Sequence, residues 1–113
     1  MAFVRSPSVA HGLALFCLAL RAHFEGRVSE LVVFGSHARG DATDASDVDV
    51  LVVINGLTDA EKRHVVDMAY DANAAADDWL GLSPLPCSTD DARELRRSGR
   101  RLWRDIATEG IPL

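Results

Sequence analysis

The chain is predicted to be a small α/β (α+β) domain: a three-stranded sheet, mixed or opening on an antiparallel pair, packed with helices in the order α-β-β-α-β-α. Three observations carry this expectation. Stretches with apolar residues at helical spacing alternate with short β-branched runs. Capping and turn residues stand at the joints between them. A length of 113 residues suits one hydrophobic core rather than two, so residues 1–113 form a single domain.

The elements follow in chain order. Ser6-Pro7 opens the first helix with a hydroxyl cap and a proline where its missing N–H costs little. Val9, Leu13, Phe16, Leu20 and Phe24 recur on one side, and Gly26 is a natural stop. Leu15 and Leu18 widen the stripe, so the helix either lies in a groove of its own core or offers an edge to another chain. Arg5 and LALFCLAL imitate an export signal. No small-x-small cleavage site follows, and the run falls short of the roughly 20 apolar residues of a spanning helix, so neither export nor a membrane span is expected.

LVVF (Leu31 to Phe34) and VLVVI (Val50 to Ile54) read as strands, taken to be antiparallel. Asn55-Gly56 turns the chain, and Thr58 with Glu61 forms a capping box for a helix running to about Trp79. Val65, Met68, Ala69, Ala72, Ala76 and Trp79 are its inward face, and Asp59, Glu61, Lys62, Arg63 and Asp67 its solvated one. LSPLPCS (Leu82 to Ser88) is a third strand, confined to a sheet edge by Pro84 and Pro86. Ser88 or Thr89 caps a last helix with Asp90, Asp91 and Glu94 near its positive end and Leu95, Leu102, Trp103 and Ile106 on its apolar side. Ser98-Gly99 kinks or interrupts it, and Gly110-Ile111-Pro112 leads into an extended tail.

Composition narrows the functional classes. A net charge of -5 argues against general nucleic-acid binding. Cys17 and Cys87 lack metal-ligand spacing and read as reduced core thiols, which points to a cytoplasmic setting. The four histidines are scattered, so no zinc site is expected.

Chemistry concentrates between the first two strands, where Gly35-Ser36 is followed after ten residues by Asp47-Val48-Asp49. Residues two apart in a strand share a face, so both carboxylates aim toward the loop carrying Ser36. Side by side they repel, and a hard cation such as Mg²⁺ relieves the repulsion while bridging to phosphate oxygens. Gly35 allows close backbone approach, Ser36 offers an N–H and a hydroxyl, and Arg39 adds a permanent planar charge beside Gly40. Arg39 also has a structural alternative, an ion pair with Asp41 or Asp44. His37 reads as an exposed loop histidine. A solvated hairpin would account for Asp41 and Asp44, but not for an acid pair abutting an apolar strand.

Gly35-Ser36-x10-Asp47-x-Asp49, with Ala38-Arg39-Gly40 inside it, resembles the signature of the minimal nucleotidyltransferases. These are small members of the DNA polymerase β-like superfamily, many of them antitoxins beside a HEPN toxin. The motif region covers about a fifth of the chain. The resemblance implies a nucleotidyltransferase-fold core and transfer of AMP from ATP, with Mg²⁺ or Mn²⁺, to a hydroxyl side chain of a HEPN partner. Asp47 and Asp49 are then the metal-binding and catalytic residues, and Gly35, Ser36 and Arg39 bind the nucleotide phosphates.

One family feature is missing. Active relatives bring a third carboxylate from the strand facing the Asp pair, and Leu82 to Ser88 offers Ser83, Leu85 and Cys87 instead. Asp77 and Asp78 precede that strand; Asp90 and Asp91 follow it. The alternative is therefore a binding module that neutralises its partner by contact. A small-molecule nucleotidyltransferase is a third reading, for which the chain is short of a substrate domain. Homo- and hetero-oligomers are both compatible with these readings. Finally, Arg93, Arg96, Arg97, Arg100, Arg101 and Arg104 line the last helix. Arg97 and Arg101 are candidates for docking an acidic partner, against the plainer reading of a solvated face. Without interleaved aromatics, RNA ranks below a protein partner.

Overall fold

The computed structural model describes residues 7–43, 45–76 and 79–113. Ser6, Asp44, Asp77 and Asp78 lie outside the described residues. The elements are α1 (Pro7–His23), β1 (Val28–Phe34), α2 (Ser36–Arg39), β2 (Val48–Ile54), α3 (Asp59–Ala75), β3 (Leu82–Ser88), α4 (Thr89–Arg97), α5 (Arg101–Glu109) and β4 (Ile111–Pro112).

The sheet is built outward from β2, whose valines, Leu51 and Ile54 are buried on both faces. A strand that apolar must be central and covered twice. β1 pairs with it antiparallel, with Leu31 opposite Val52 and Phe34 opposite Asp49. β3 pairs with its other side in parallel, with Asp49 beside Ser83. The tail supplies a fourth strand, since Ile111 and Pro112 pair antiparallel with Val33 and Val32. The mixed sheet therefore runs β3-β2-β1-β4 rather than in three strands. A two-residue strand is too short to show a period in sequence.

α1 and α3 cover one face. Leu13, Phe16, Leu20 and Val65 meet Val48, Val50, Val52 and Ile54, each side chain of this size contributing roughly 1.5–3 kcal/mol when fully buried. On the other face α4 and α5 bring Ala92 and Ile106 against Leu51, Val53 and Cys87. The predicted stripe of α1 is buried from Val9 to Phe24, whereas Leu15 and Leu18 are exposed. Cys17 and Cys87 are free thiols, and burial pushes the pKa of each up. Among the described residues no helix is long and apolar enough to cross a membrane.

Two expectations are corrected. α3 ends at Ala75 and Trp79 is 60% exposed instead of buried. The Asn73 side chain explains the early end. Its amide donates to the Leu82 carbonyl at 3.2 Å and its oxygen accepts the Leu82 N–H at 2.8 Å, tying the last turn of α3 to the start of β3. The last helix is interrupted at Ser98-Gly99, one of the two outcomes expected there, and forms α4 and α5. Gly99 adopts φ +64°, a left-handed conformation glycine enters without a Cβ penalty, and the chain turns between α4 and α5. The predicted Thr58–Glu61 capping box stands at α3, and at α4 Ser88, of the two caps offered, forms a box with Asp91.

β3 is an edge strand, as its prolines require. Pro84 and Pro86 have no N–H, while Leu82 and Ser88, at the same parity, give theirs to Asn73 (2.8 Å) and Asp91 (3.1 Å). No main-chain donor is left over at these four outward positions of β3.

Candidate functional site

β1 ends at Gly35, where φ is 78° and ψ is -153°, a region essentially reserved for glycine. A Cβ there would lie 2.5 Å from Asp49 Oδ2, so the backbone of the turn presses directly on the carboxylate. Ser36 to Arg39 then make a single helical turn closed by Gly40, whose N–H donates to Ser36 O at 3.0 Å. The N–H groups of such a first turn have no partner within the helix.

The chain returns through residues 41–47. Ser46 knots this segment: its N–H donates to Thr43 O at 3.1 Å, and its Oγ accepts the Thr43 N–H at 2.8 Å. Asp47 follows just before β2 and is exposed; Asp49, the second residue of β2, is half-buried. Burial raises the Asp49 pKa, and the neighbouring Asp47 charge raises it further, while His37 and Arg39 pull it back. The two carboxylates are thus close enough to repel. They are hard oxygen donors whose repulsion a divalent cation would relieve, which fits Mg²⁺ or Mn²⁺ shared with phosphate. Among the described residues no cluster of three or more His, Cys, Asp or Glu could hold a metal by itself.

A cleft of about 290 Å³ opens at this point, lined by Phe34, Gly35, Ser36, Arg39, Asp49, Leu102, Asp105 and Glu109. Of the residues predicted from sequence, Gly35, Ser36, Arg39 and Asp49 converge here, and Asp47 stands beside the lining. Arg97 and Arg101 do not line the cleft; they sit on the last turn of α4 and the first of α5. The Arg39 guanidinium donates to Asp41 Oδ2 at 3.2 Å and to Glu109 Oε2 at 3.1 Å, and these bonds hold its pKa above the ordinary arginine value. The ion pair with Asp41 that sequence offered as a structural alternative is present.

His37 departs from expectation. It is 3% exposed, a buried residue of the short helix α2 and not a solvated loop residue. Its Nε2 lies 3.5 Å from Ser46 O. Asp105 and Glu109 escaped the sequence reading. Their signal was the helical spacing that sets them beside Leu102 and Ile106 on one side of α5. At the position facing Asp49 on β3 stands Ser83, so that strand supplies no acid there.

A larger cleft of about 570 Å³ lies between α1 and α3, lined largely by apolar residues such as Leu15, Phe16 and Met68. It contains none of the motif residues.

Comparison with known proteins agrees with this geometry. The sequence model of a family described as the nucleotidyltransferase domain matches residues 17–97. The chain is 40% identical over 53 residues to the candidate protein adenylyltransferase MJ0604 of Methanocaldococcus jannaschii, covering 47% of this chain and 49% of that protein. A second candidate protein adenylyltransferase of that organism, MJ0141, is 39% identical over 44 residues, 38% of this chain and 44% of that protein. The chain thus spans about half the length of the curated relatives it matches, or less. Among solved structures, a toxin–antitoxin with AMP-PNP superimposes with a TM-score of 0.58 at 19% identity, covering 87% of this chain and 69% of that one. A mutant of the toxin–antitoxin MntA-HpeT gives 0.57 at 21% identity, covering 88% and 70%. These two likenesses are of fold.

Proposed function

We propose that this chain, which belongs to the nucleotidyltransferase domain family, transfers AMP from ATP to a hydroxyl side chain of a HEPN-family toxin, silencing it. The carrying observation is the meeting of Gly35, Ser36 and Asp49 in one cleft, with Asp47 at its side. The curated relatives named for protein adenylyltransfer, and neighbours solved as toxin–antitoxin assemblies, support the same reading.

In this proposal Asp47 and Asp49 would hold Mg²⁺ or Mn²⁺, which would supply neutralisation of phosphate charge and a lowered pKa for an attacking hydroxyl. Gly35 leaves a phosphate room beside Asp49, and Ser36 offers its N–H and hydroxyl to the β- and γ-phosphates. Arg39 adds fixed positive charge once a phosphate competes it away from Glu109 or Asp41. The acceptor oxygen bonds to the α-phosphorus, the bond from that phosphorus to the bridging oxygen breaks, pyrophosphate leaves, and the hydroxyl proton passes to solvent.

A second reading has its own observation. With Ser83 facing Asp49, the strand lacks the acid that would polarise the acceptor, a loss of part of a term worth roughly 10²–10⁴ in rate. A chain so weakened would still neutralise its partner by contact. The arginines suit either reading. Arg93 pairs with Asp90, Arg96 with Glu30, and Arg101 with Asp105 at 3.8 Å. The side chains of Arg97, Arg100 and Arg104 have no carboxylate partner among the described residues, and all three are exposed. Around the α4–α5 bend they offer an acidic protein surface a cluster of charge.

One experiment separates the readings. The protein is incubated with labelled ATP, Mg²⁺ and a HEPN toxin, beside Asp47→Ala/Asp49→Ala and Arg97→Glu/Arg101→Glu variants. Label on the toxin that falls about 10²-fold or more without the aspartates supports transfer. Neutralisation unchanged in the aspartate variant supports contact alone. Undiminished pull-down by the arginine variant removes the docking surface.

A further inference from the structure

Among the described residues, His37 is the one polar side chain that is buried. One ring nitrogen, Nε2, reaches Ser46 O at 3.5 Å, the outer limit of a hydrogen bond. The other, Nδ1, is shut away from solvent with no partner among the described residues. A buried, unsatisfied nitrogen costs folding free energy that an apolar side chain of similar size would not. The resting fold thus retains a residue poorly justified by stability, and its neighbours indicate what else it does. His37 follows Ser36 in α2, and Ser46 precedes Asp47. Because Ser46 is knotted to Thr43 through main chain and side chain, whatever fixes Ser46 also fixes the carboxylate-bearing segment. The imidazole also lies near enough to Asp49 for its charge to act there.

We infer that His37 is a positioning residue: by donating from Nε2 to the Ser46 carbonyl, it holds the Asp47 segment in register with the Gly35-Ser36 turn. The 3.5 Å contact has room to shorten as metal and nucleotide draw the two sides together, as active-site hydrogen bonds commonly do. Groups that orient a metal's ligands without touching the metal typically contribute 10–100-fold to its affinity. The inference rests on the nucleotide-transfer reading.

The test is calorimetric titration of the full chain with MgATP, with melting temperatures taken in parallel. Wild-type protein that gives no heat would remove the nucleotide reading and this inference with it. Given wild-type binding, His37→Leu should weaken it about tenfold or more at a melting temperature equal to or above wild type. His37→Gln, which keeps a donor able to reach Ser46, should restore most of the affinity. Leucine binding as tightly as wild type, or glutamine binding as weakly as leucine, overturns the assignment and leaves the nucleotide reading standing. Should the leucine variant not fold, the comparison passes to His37→Asn, too short to reach Ser46: weakened binding supports the inference, and wild-type affinity sinks it.

Discussion

Asp49 shows at the level of one side chain what the site costs the fold. Its pKa is raised by burial and by Asp47, so the ionised form is disfavoured in the native state relative to the unfolded chain. The sign follows by linkage: above the unfolded pKa the ionised group destabilises, and acid relieves the penalty as Asp49 protonates. Asp49→Asn, a permanently uncharged near-isostere, should therefore melt at a higher temperature than wild type at pH 7. Under the proposed function MgATP should stabilise wild type by about 2.7 kcal/mol at a hundred times the dissociation constant, and the variant should lose that stabilisation. Thermal scans with and without MgATP check both halves. A variant that melts lower at pH 7 would show that the carboxylate is paired rather than strained.

Between elements, Arg27 and Glu61 tie the turn after β2 to the start of α3. The guanidinium donates to both Glu61 oxygens, at 2.8 and 2.9 Å, and to the carbonyls of Asn55 and Gly56. Chiefly through Arg27, the Glu61 pKa falls from 4.5 to about 2. A depressed carboxyl contributes stability above its unfolded pKa and loses it as pH falls through the folded one. Acid unfolding should hence include a component between about pH 4.5 and 2 that Glu61→Gln removes, measurable as denaturant midpoints across that window. A variant profile with the wild-type slope would refute the link.

Elements of this kind were legible in sequence in proportion to how local their causes are. The Thr58–Glu61 box, the Ser88 cap and the apolar run of β2 declare themselves over a few residues, and each is present as read. The start of β1 at Val28, the pairing of Ile111 and Pro112, and the early end of α3 depend on partners distant in sequence. The site divides the same way. The spacing from Gly35 to Asp49 predicted their meeting, because two adjacent antiparallel strands must bring their ends together. Asp105 and Glu109 arrive from α5 by packing alone, and the burial of His37 is likewise decided by tertiary packing. A polar loop position carries no local mark of burial.

At the scale of the whole molecule, the outer flank of β3 limits how copies can meet. Pro84, Pro86 and the engaged N–H groups of Leu82 and Ser88 leave an approaching strand no main-chain donor on that flank. Pro84→Thr/Pro86→Thr would restore two donors there, and light scattering should then show concentration-dependent growth that the parent does not. Equal scattering by both would mean that other features guard the flank. The parent cannot lengthen its sheet from that side into a ribbon running through neighbouring molecules. A partner or a second copy approaching from there meets main-chain acceptors without donors, so recognition on that flank falls largely to surface chemistry, open to retuning one substitution at a time.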